Sequence, residues 1–201
     1  MLSVDLRPIE VDAVDASISA CSPMSALLLA LLSAAPADAS RSAILAAGRP
    51  TLTLEAADTM ANAAINEART RGFNDISVHV LDATGRTVVS KCMLNCPSLP
   101  HKLAHAKAML CVSTHSSSRA VKDKYVPERT PQLLAMTIVG TDCATPIAAV
   151  PGGVLCRADG VVVGAVGVSG ASADEDEHCA LAAAHAVSLA TEPAESALPG
   201  R

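Results

Sequence analysis

Aromatic side chains are nearly missing from this chain of 201 residues: Phe73 and Tyr125 are the only ones of their kinds, and there is no Trp. The core must therefore be built from Ala, Val, Leu, Ile and Met. Such a core still folds, because each buried aliphatic side chain contributes roughly 1.5–3 kcal/mol. It offers little surface on which a base or sugar ring could stack. Basic residues are also in short supply. Fifteen Lys and Arg stand against twenty Asp and Glu, giving a net charge of −5 and a pI near 5.6. That balance argues against nucleic acid and anionic membranes as partners, since both select for basic patches. No apolar run reaches the ~18–20 residues of a transmembrane helix, so no membrane span is expected.

Cysteine, by contrast, occurs seven times, at 21, 92, 96, 111, 143, 156 and 179. An odd count, with Cys111, Cys156 and Cys179 among apolar neighbours, reads as reduced, buried thiols rather than a disulfide framework. An intracellular, cytoplasmic location is expected, with an organellar one left open. The apolar run Met24–Ala35 has the length of a signal-peptide core, and Ala37-Asp-Ala39 faintly resembles a cleavage site. The preceding Asp5, Glu10, Asp12 and Asp15 outweigh Arg7 and oppose both secretory and mitochondrial readings. The run is taken as a helix packing on the domain or on a partner. Residues 1–50 are then an extension with one apolar helix, 51–190 a domain, and 191–201 a flexible tail.

Within the domain, Thr53 caps a helix with Glu55 in its first turn. Ala57, Met60, Ala61, Ala64, Ile65 and Ala68 recur at helical spacing, and Gly72 ends it. Ile76–Leu81 alternates as a strand, Asp82-Ala-Thr-Gly85 turns, and Thr87–Ser90 returns. After a loop over 91–100, Pro100 opens a helix to about Thr114, with Leu103, Ala106 and Leu110 on one side. Ser116–Ser118 breaks it and caps Arg119–Val126. Thr130 caps a short helix to about Ile138, and 139–150 is irregular. A hairpin follows, then a helix over 173–190 with Cys179, Ala182, Ala183, Ala186 and Leu189 as its apolar face. Tight turns mean antiparallel pairing, and the wholly apolar 161–168 means a sheet covered on both faces. The elements imply one antiparallel sheet between helical layers.

The stretch Val150–Gly170 holds six of the eleven glycines and leads into the acidic run Asp174-Glu-Asp-Glu177. It reads as strand, Asp-Gly turn, strand, small-residue loop and helix. A phosphate site at that helix start is opposed by its own carboxylates, which instead complement the helix dipole. Ser169 remains a polar candidate in a pocket wall. Gly152 and Gly153 let backbone approach a ligand or mark a bulge at the strand start.

Three segments together resemble one family: Val80-Leu-Asp-Ala-Thr-Gly85, Ala104-His-Ala-Lys-Ala108, and Gly152-Gly-Val through Asp159-Gly-Val-Val-Val-Gly-Ala-Val-Gly-Val-Ser-Gly170 to Asp176-Glu177. The chain over about 52–190 is similar to the GlcG/HbpS-type family, which includes haem-binding proteins and the C-terminal domain of PduO-type cobalamin adenosyltransferases. The resemblance implies an α+β, profilin-like α/β/α domain with a five-stranded antiparallel sheet, assembly into oligomers, and haem or corrinoid binding. It departs from the family's pattern at Lys91-Cys-Met-Leu-Asn-Cys-Pro97, where members carry an Arg-x-Asp-Gly-Ala-like segment. It departs again at Leu110-Cys111, where members have Thr-Ala.

Cys92, Cys96, His101 and His105 form the most chemically loaded arrangement. His101 and His105 share a helix face. Two thiolates and two imidazoles would suit tetrahedral zinc, though the spacing matches no standard pattern of paired cysteines. Alternatively Cys96 offers a thiolate to haem iron, or His101 or His105 an imidazole. Lys107, charged on an apolar helix face, either holds a ligand carboxylate as a point charge or pairs with an acid. His79, His178 and His185 read as structural or exposed. No nucleophile elbow accompanies these residues.

Three functions follow: a haem- or tetrapyrrole-binding accessory protein, a ligand-free oligomeric scaffold or subunit of a larger complex, or a small-molecule enzyme acting on a hydroxy acid. The first would bind at Cys96, His101, His105, Lys107, Gly152, Gly153 and Ser169. The expected partners are copies of the chain or a larger assembly, and a small-molecule ligand.

Overall fold

The computed structural model describes residues 51–198. The extension over 1–50, its apolar helix and Cys21 lie outside the described residues. The first helix, α1 (Leu54–Arg71), starts where Thr53 Oγ1 accepts a hydrogen bond from the Ala56 amide, and ends at Gly72 in the left-handed region with φ +71°. Its buried Ala and Met60 face a sheet whose first hairpin is β1 (Ser77–Asp82) and β2 (Thr87–Cys92). The Asp82 carboxylate caps the turn between them by accepting from the Thr84 and Arg86 amides and the Thr84 hydroxyl. Three helices follow: α2 (Ser98–Thr114), α3 (Ser118–Tyr125) and α4 (Thr130–Asp142). A second hairpin, β3 (Gly153–Ala158) and β4 (Val161–Ser169), turns through Asp159 and Gly160 at φ +48° and +80°. Two consecutive positive φ values are what a twisted two-residue hairpin loop requires. The chain ends with α5 (Ala173–His185) and β5 (Ala190–Glu192).

The sheet order is β2-β1-β4-β3-β5, with antiparallel pairing throughout. This is the expected five-stranded α+β architecture. Strand alternation divides it into two faces. Val78, Val80, Val154, Val166 and Val168 face α1 and α5, while Leu81, Leu155 and Ala165 face α2. A bulge in β4 opposite Cys156/Arg157 switches the phase, so Val163 joins the first face. The α2 layer sits on the sheet almost without spacing. A Cβ on Gly167 would lie 2.0 Å from the Ala104 carbonyl oxygen, and one on Gly153 would lie 2.6 Å from that of Lys107.

Several boundaries differ from the sequence reading. The second strand runs on to Cys92 because its register with Ser77 is kept. The α2 helix begins at Ser98, two residues before Pro100. In α4, Arg129 rather than Thr130 occupies the cap, and Thr130 donates its hydroxyl to the Pro127 carbonyl. The last helix stops at His185, so Ala186 is exposed rather than facial, and Ala180, Leu181 and Ala184 are buried in its place. The expected domain boundary at 190 falls at the start of β5, which adds an edge strand to β3. Ser196, within the expected tail, bonds to His178 Nδ1 at 2.9 Å. Among the described residues no helix is long and apolar enough to cross a membrane.

Candidate functional site

Ser77, His79 and Leu81 alternate with Val78 and Val80, so β1 turns two polar side chains toward α2. The register sets Cys92, Ser77 and Ser169 side by side across three strands, and Ser90, His79 and Gly167 in the row above. Over these rows lies the start of α2. His101 and His105, one helical turn apart, descend onto His79, with ring centroids 4.6 Å and 5.4 Å from it. His101 Nδ1 lies 2.9 Å from Ser77 Oγ and 3.4 Å from His79 Nε2, and Ser90 Oγ lies 3.2 Å from His79 Nε2.

His79 is only 6 % exposed, and its Nδ1 is buried with no hydrogen-bond partner. A buried imidazole nitrogen without a partner is uncommon and calls for an explanation. Burial, and then the neighbouring His101 and His105, pull the His79 pKa down to about 4, so the ring is neutral at physiological pH. Burial and His101 lower that of His105 as well. Neutral imidazoles are the form that ligates metals.

Cys96 closes the lower edge of this corner, where its thiol contacts the Ser169 carbonyl at 4.0 Å. Burial, with Cys92 beside it, pushes the Cys96 thiol up to about 11. At neutral pH it is a thiol, which weakens the thiolate reading of Cys96. Among the described residues, no group of three or more His, Cys, Asp or Glu is arranged to hold a metal ion. The expected four-ligand zinc set of Cys92, Cys96, His101 and His105 is therefore not assembled. His101 Nδ1 turns down to Ser77 and His79 rather than toward the two thiols.

Lys107, Gly152 and Gly153 gather in a second cluster, on the flank of α2 that faces β3 and α5. Lys107 Nζ donates to Asp176 Oδ2 at 2.7 Å and to the Val168 carbonyl at 2.9 Å. Of its two sequence readings, the structure contains the ion pair. Gly152 has φ +120°, and a Cβ there would lie 2.8 Å from Lys107 Nζ, so glycine makes room for the pair. Gly153 donates its amide to Ser118 Oγ at 2.8 Å. Beside them, Arg119 forks onto the buried Glu177 at 2.9 and 3.0 Å and reaches Asp174. Of the acidic run, Glu175 closes a capping box with Ser172, and Asp176 Oδ1 accepts from the Ala171 amide just before the helix. Asp176 and Glu177 turn inward to cations.

Of the residues the sequence singled out, Cys92, Cys96, His101, His105 and Ser169 lie around this corner, whereas Lys107, Gly152 and Gly153 lie apart from it; Ser77, His79 and Ser90, which line the same corner, were not among its candidates. The available signal was the alternation itself: a His between two inward-facing valines must face the opposite layer. A separate cavity of about 500 Å3 opens between the end of α2 and α4, lined by Met136, Val139, Cys143 and Ile147 among others.

Solved structures share this fold. The PduOC:haem complex aligns at 22 % identity and TM-score 0.62, covering 71 % of this chain and 99 % of that one. HbpS aligns at 30 % identity and TM-score 0.57, covering 68 % and 90 %. A double mutant of Streptomyces reticuli HbpS aligns at 25 % and 0.57, covering 86 % and 97 %. No curated protein sequence matches the chain. The family model described as haem degrading protein HbpS-like matches residues 52–185, the whole sheet-and-helix body up to the end of α5; the chain belongs to the HbpS-like family.

Proposed function

We propose that this protein binds haem or a related tetrapyrrole at the imidazole corner of β1, β2 and α2, as an accessory rather than a catalytic protein. The observation that carries the reading is the cluster of three imidazoles, with the half-buried His101 and His105 lying over a His79 held neutral by burial. The donor chemistry fits. His101 and His105 are half-buried, lie on the first turns of a helix that opens toward solvent, and are supported from below by His79. His101 or His105 would hold the iron through a ring nitrogen. His79, Ser77 and Ser90 would fix ring orientation and tautomer through the other nitrogens. A bound haem would supply redox-active iron whose behaviour depends on the side chain that holds it and the surrounding hydrogen bonds. Family membership and the haem complex of a structural neighbour support the same reading.

The test is titration of the purified chain with hemin. A saturable, stoichiometric Soret band shifted from that of free hemin is expected. A spectrum that never departs from free hemin would sink the proposal.

A second reading, an oligomeric scaffold or subunit, draws on α4. This helix buries none of its residues, yet Leu134, Ile138 and Val139 are 60 %, 54 % and 61 % exposed. Exposed apolar faces of this kind mark association surfaces. Light scattering during size-exclusion chromatography tests it: an assembly that dissociates on Ile138→Lys supports association through α4, and a concentration-independent monomer removes it.

A further inference from the structure

The helix α4 spans an apolar gap instead of closing it. From Pro131 to Thr141 it carries no charged side chain, yet it buries none of its residues. Gln132, Ala135, Met136, Val139, Gly140 and Cys143 recur at i, i+3, i+4, i+7, i+8 and i+11, which places them in one stripe of the helix. A mainly apolar stripe at this spacing is what a helix ordinarily lays on a core. Here it lines a cavity of about 500 Å3, with Ser113 and Thr114 at the end of α2 as another wall. Leu134 and Ile138, the exposed residues of the association reading, fall on the opposite flank of the helix.

The surrounding chain holds this gap open at fixed points. At the start of α4 the Arg129 amide donates to the Tyr125 carbonyl at 2.7 Å, which ties the helix to α3. Past its end Ala144 takes a φ of +54° and the chain doubles back. The Thr145 amide then donates to the Gly140 carbonyl at 2.7 Å, and the Ala148 amide to the Ala106 carbonyl at 3.2 Å, pinning the returning chain to α2. Gly140 permits this close return: a Cβ there would lie 2.6 Å from the Thr145 carbonyl oxygen and 3.5 Å from the Ile147 side chain. Thr145 and Ile147 thereby wall the cavity at that end. A recess walled in this way suits a compact molecule better than a helix laid along it, and its volume falls within the roughly 300–1,000 Å3 of small-molecule pockets.

No side chain of the lining is charged. A ligand carboxylate or ammonium would lose water there without gaining a counter-charge, which is costly. The Thr114 and Thr145 hydroxyls already donate to the Leu110 and Cys143 carbonyls. The Ser113 hydroxyl and the Gln132 amide are the groups left to meet a polar atom of a ligand. We propose that this cavity binds an uncharged, mainly apolar small molecule with one hydrogen-bonding end, such as a medium-chain alcohol. The site shares no residue with the imidazole corner, so it stands or falls separately from the haem reading.

The test titrates the full chain with N-phenyl-1-naphthylamine, an uncharged apolar fluorophore with a single N–H. Its emission is expected to rise, shift to the blue and saturate at one probe per chain. 1-Decanol should displace it, and decanoate should do so about tenfold less well. Ala135→Phe fills the cavity from an exposed helix position, so it disturbs no core, and it should weaken probe binding about tenfold or more. Ile138→Lys, on the opposite flank, and His101→Ala, in the imidazole corner, should leave binding unchanged. Emission that never saturates, or that survives Ala135→Phe, would overturn the site. Equal displacement by decanoate would overturn the uncharged class of ligand. Loss of binding in Ile138→Lys would place the probe between copies of the chain and overturn the proposal as well.

Discussion

Lys107 Nζ lies 2.7 Å from Asp176 Oδ2, and both side chains are almost completely removed from solvent. Burial lowers the Lys107 pKa and raises that of Asp176 to about 6, with each partner offsetting part of the other's shift. The pair fastens α2 to the start of α5 across the end of β4.

Removing one member should cost more than removing both. Lys107→Met leaves the Asp176 carboxylate buried without its cation, still accepting from the Ala171 amide, and is expected to destabilise by about 3–5 kcal/mol. The double variant Lys107→Met/Asp176→Leu should recover most of that loss. Urea denaturation of the four proteins in the cycle measures it, and additive losses would show that the two side chains are not energetically coupled.

His79 makes stability depend on pH. Its folded-state pKa of about 4 lies below the ordinary value of 6.5. The unfolded chain therefore binds the proton more readily, and stability falls as pH drops from 6.5 toward 4. Over that window the loss from this group is at most about 3 kcal/mol, reduced to the extent that solvent reaches the corner. His105 titrates in the same direction. Denaturation midpoints at pH 7 and pH 5 should converge in His79→Gln relative to the parent. An undiminished pH slope in that variant would remove His79 as the source.

Glycines of similar appearance should respond very differently. Gly167→Ala places a Cβ 2.0 Å from the Ala104 carbonyl oxygen, with no side chain free to move aside. It should cost about 3 kcal/mol or more, the upper end for overpacking. Gly160→Ala meets nothing within 4 Å and suffers only from φ +80°, a cost of about 1–2 kcal/mol. Thermal unfolding of both variants checks the order.

Haem affinity should follow the imidazoles rather than the thiols. Loss of His101 or His105 should weaken hemin binding at least tenfold, equivalent to about 1.4 kcal/mol. Cys96→Ser should change it by less than twofold, because the Cys96 thiol is protonated at neutral pH. A spectrum typical of thiolate ligation that disappears in Cys96→Ser would reverse this assignment.

The pattern of residues alone carried much of the architecture. Thr53 and Gly72 bracket a helix because a hydroxyl cap and a left-handed glycine are local chemistry, decided within a few residues. Asp159-Gly160 fixed the second hairpin for the same reason. The short β5 was invisible to periodicity: three residues carry no usable alternation, and Ala190–Glu192 become a strand only because β3 offers an unpaired edge. The reach of α4 to Asp142 was equally hidden, since a helix that buries nothing leaves no one-sided apolar pattern.

At the site, the sequence determined which side chains were available: His101 and His105 on one helix face, and two cysteines in one loop. Only tertiary structure decided what they meet. His79 comes from a strand twenty-two residues away from His101, and it enters the corner because strand alternation and the glycine-permitted descent of α2 bring those layers together. Lys107 was ambiguous in sequence because a cation on an apolar face is equally suited to a ligand or to an acid. Sixty-nine residues later the chain supplies Asp176, and no local pattern could have paired them. Local chemistry depends on neighbours along the chain and is legible there. Contacts between layers depend on the packing of the whole sheet, and that is settled only once the chain has folded.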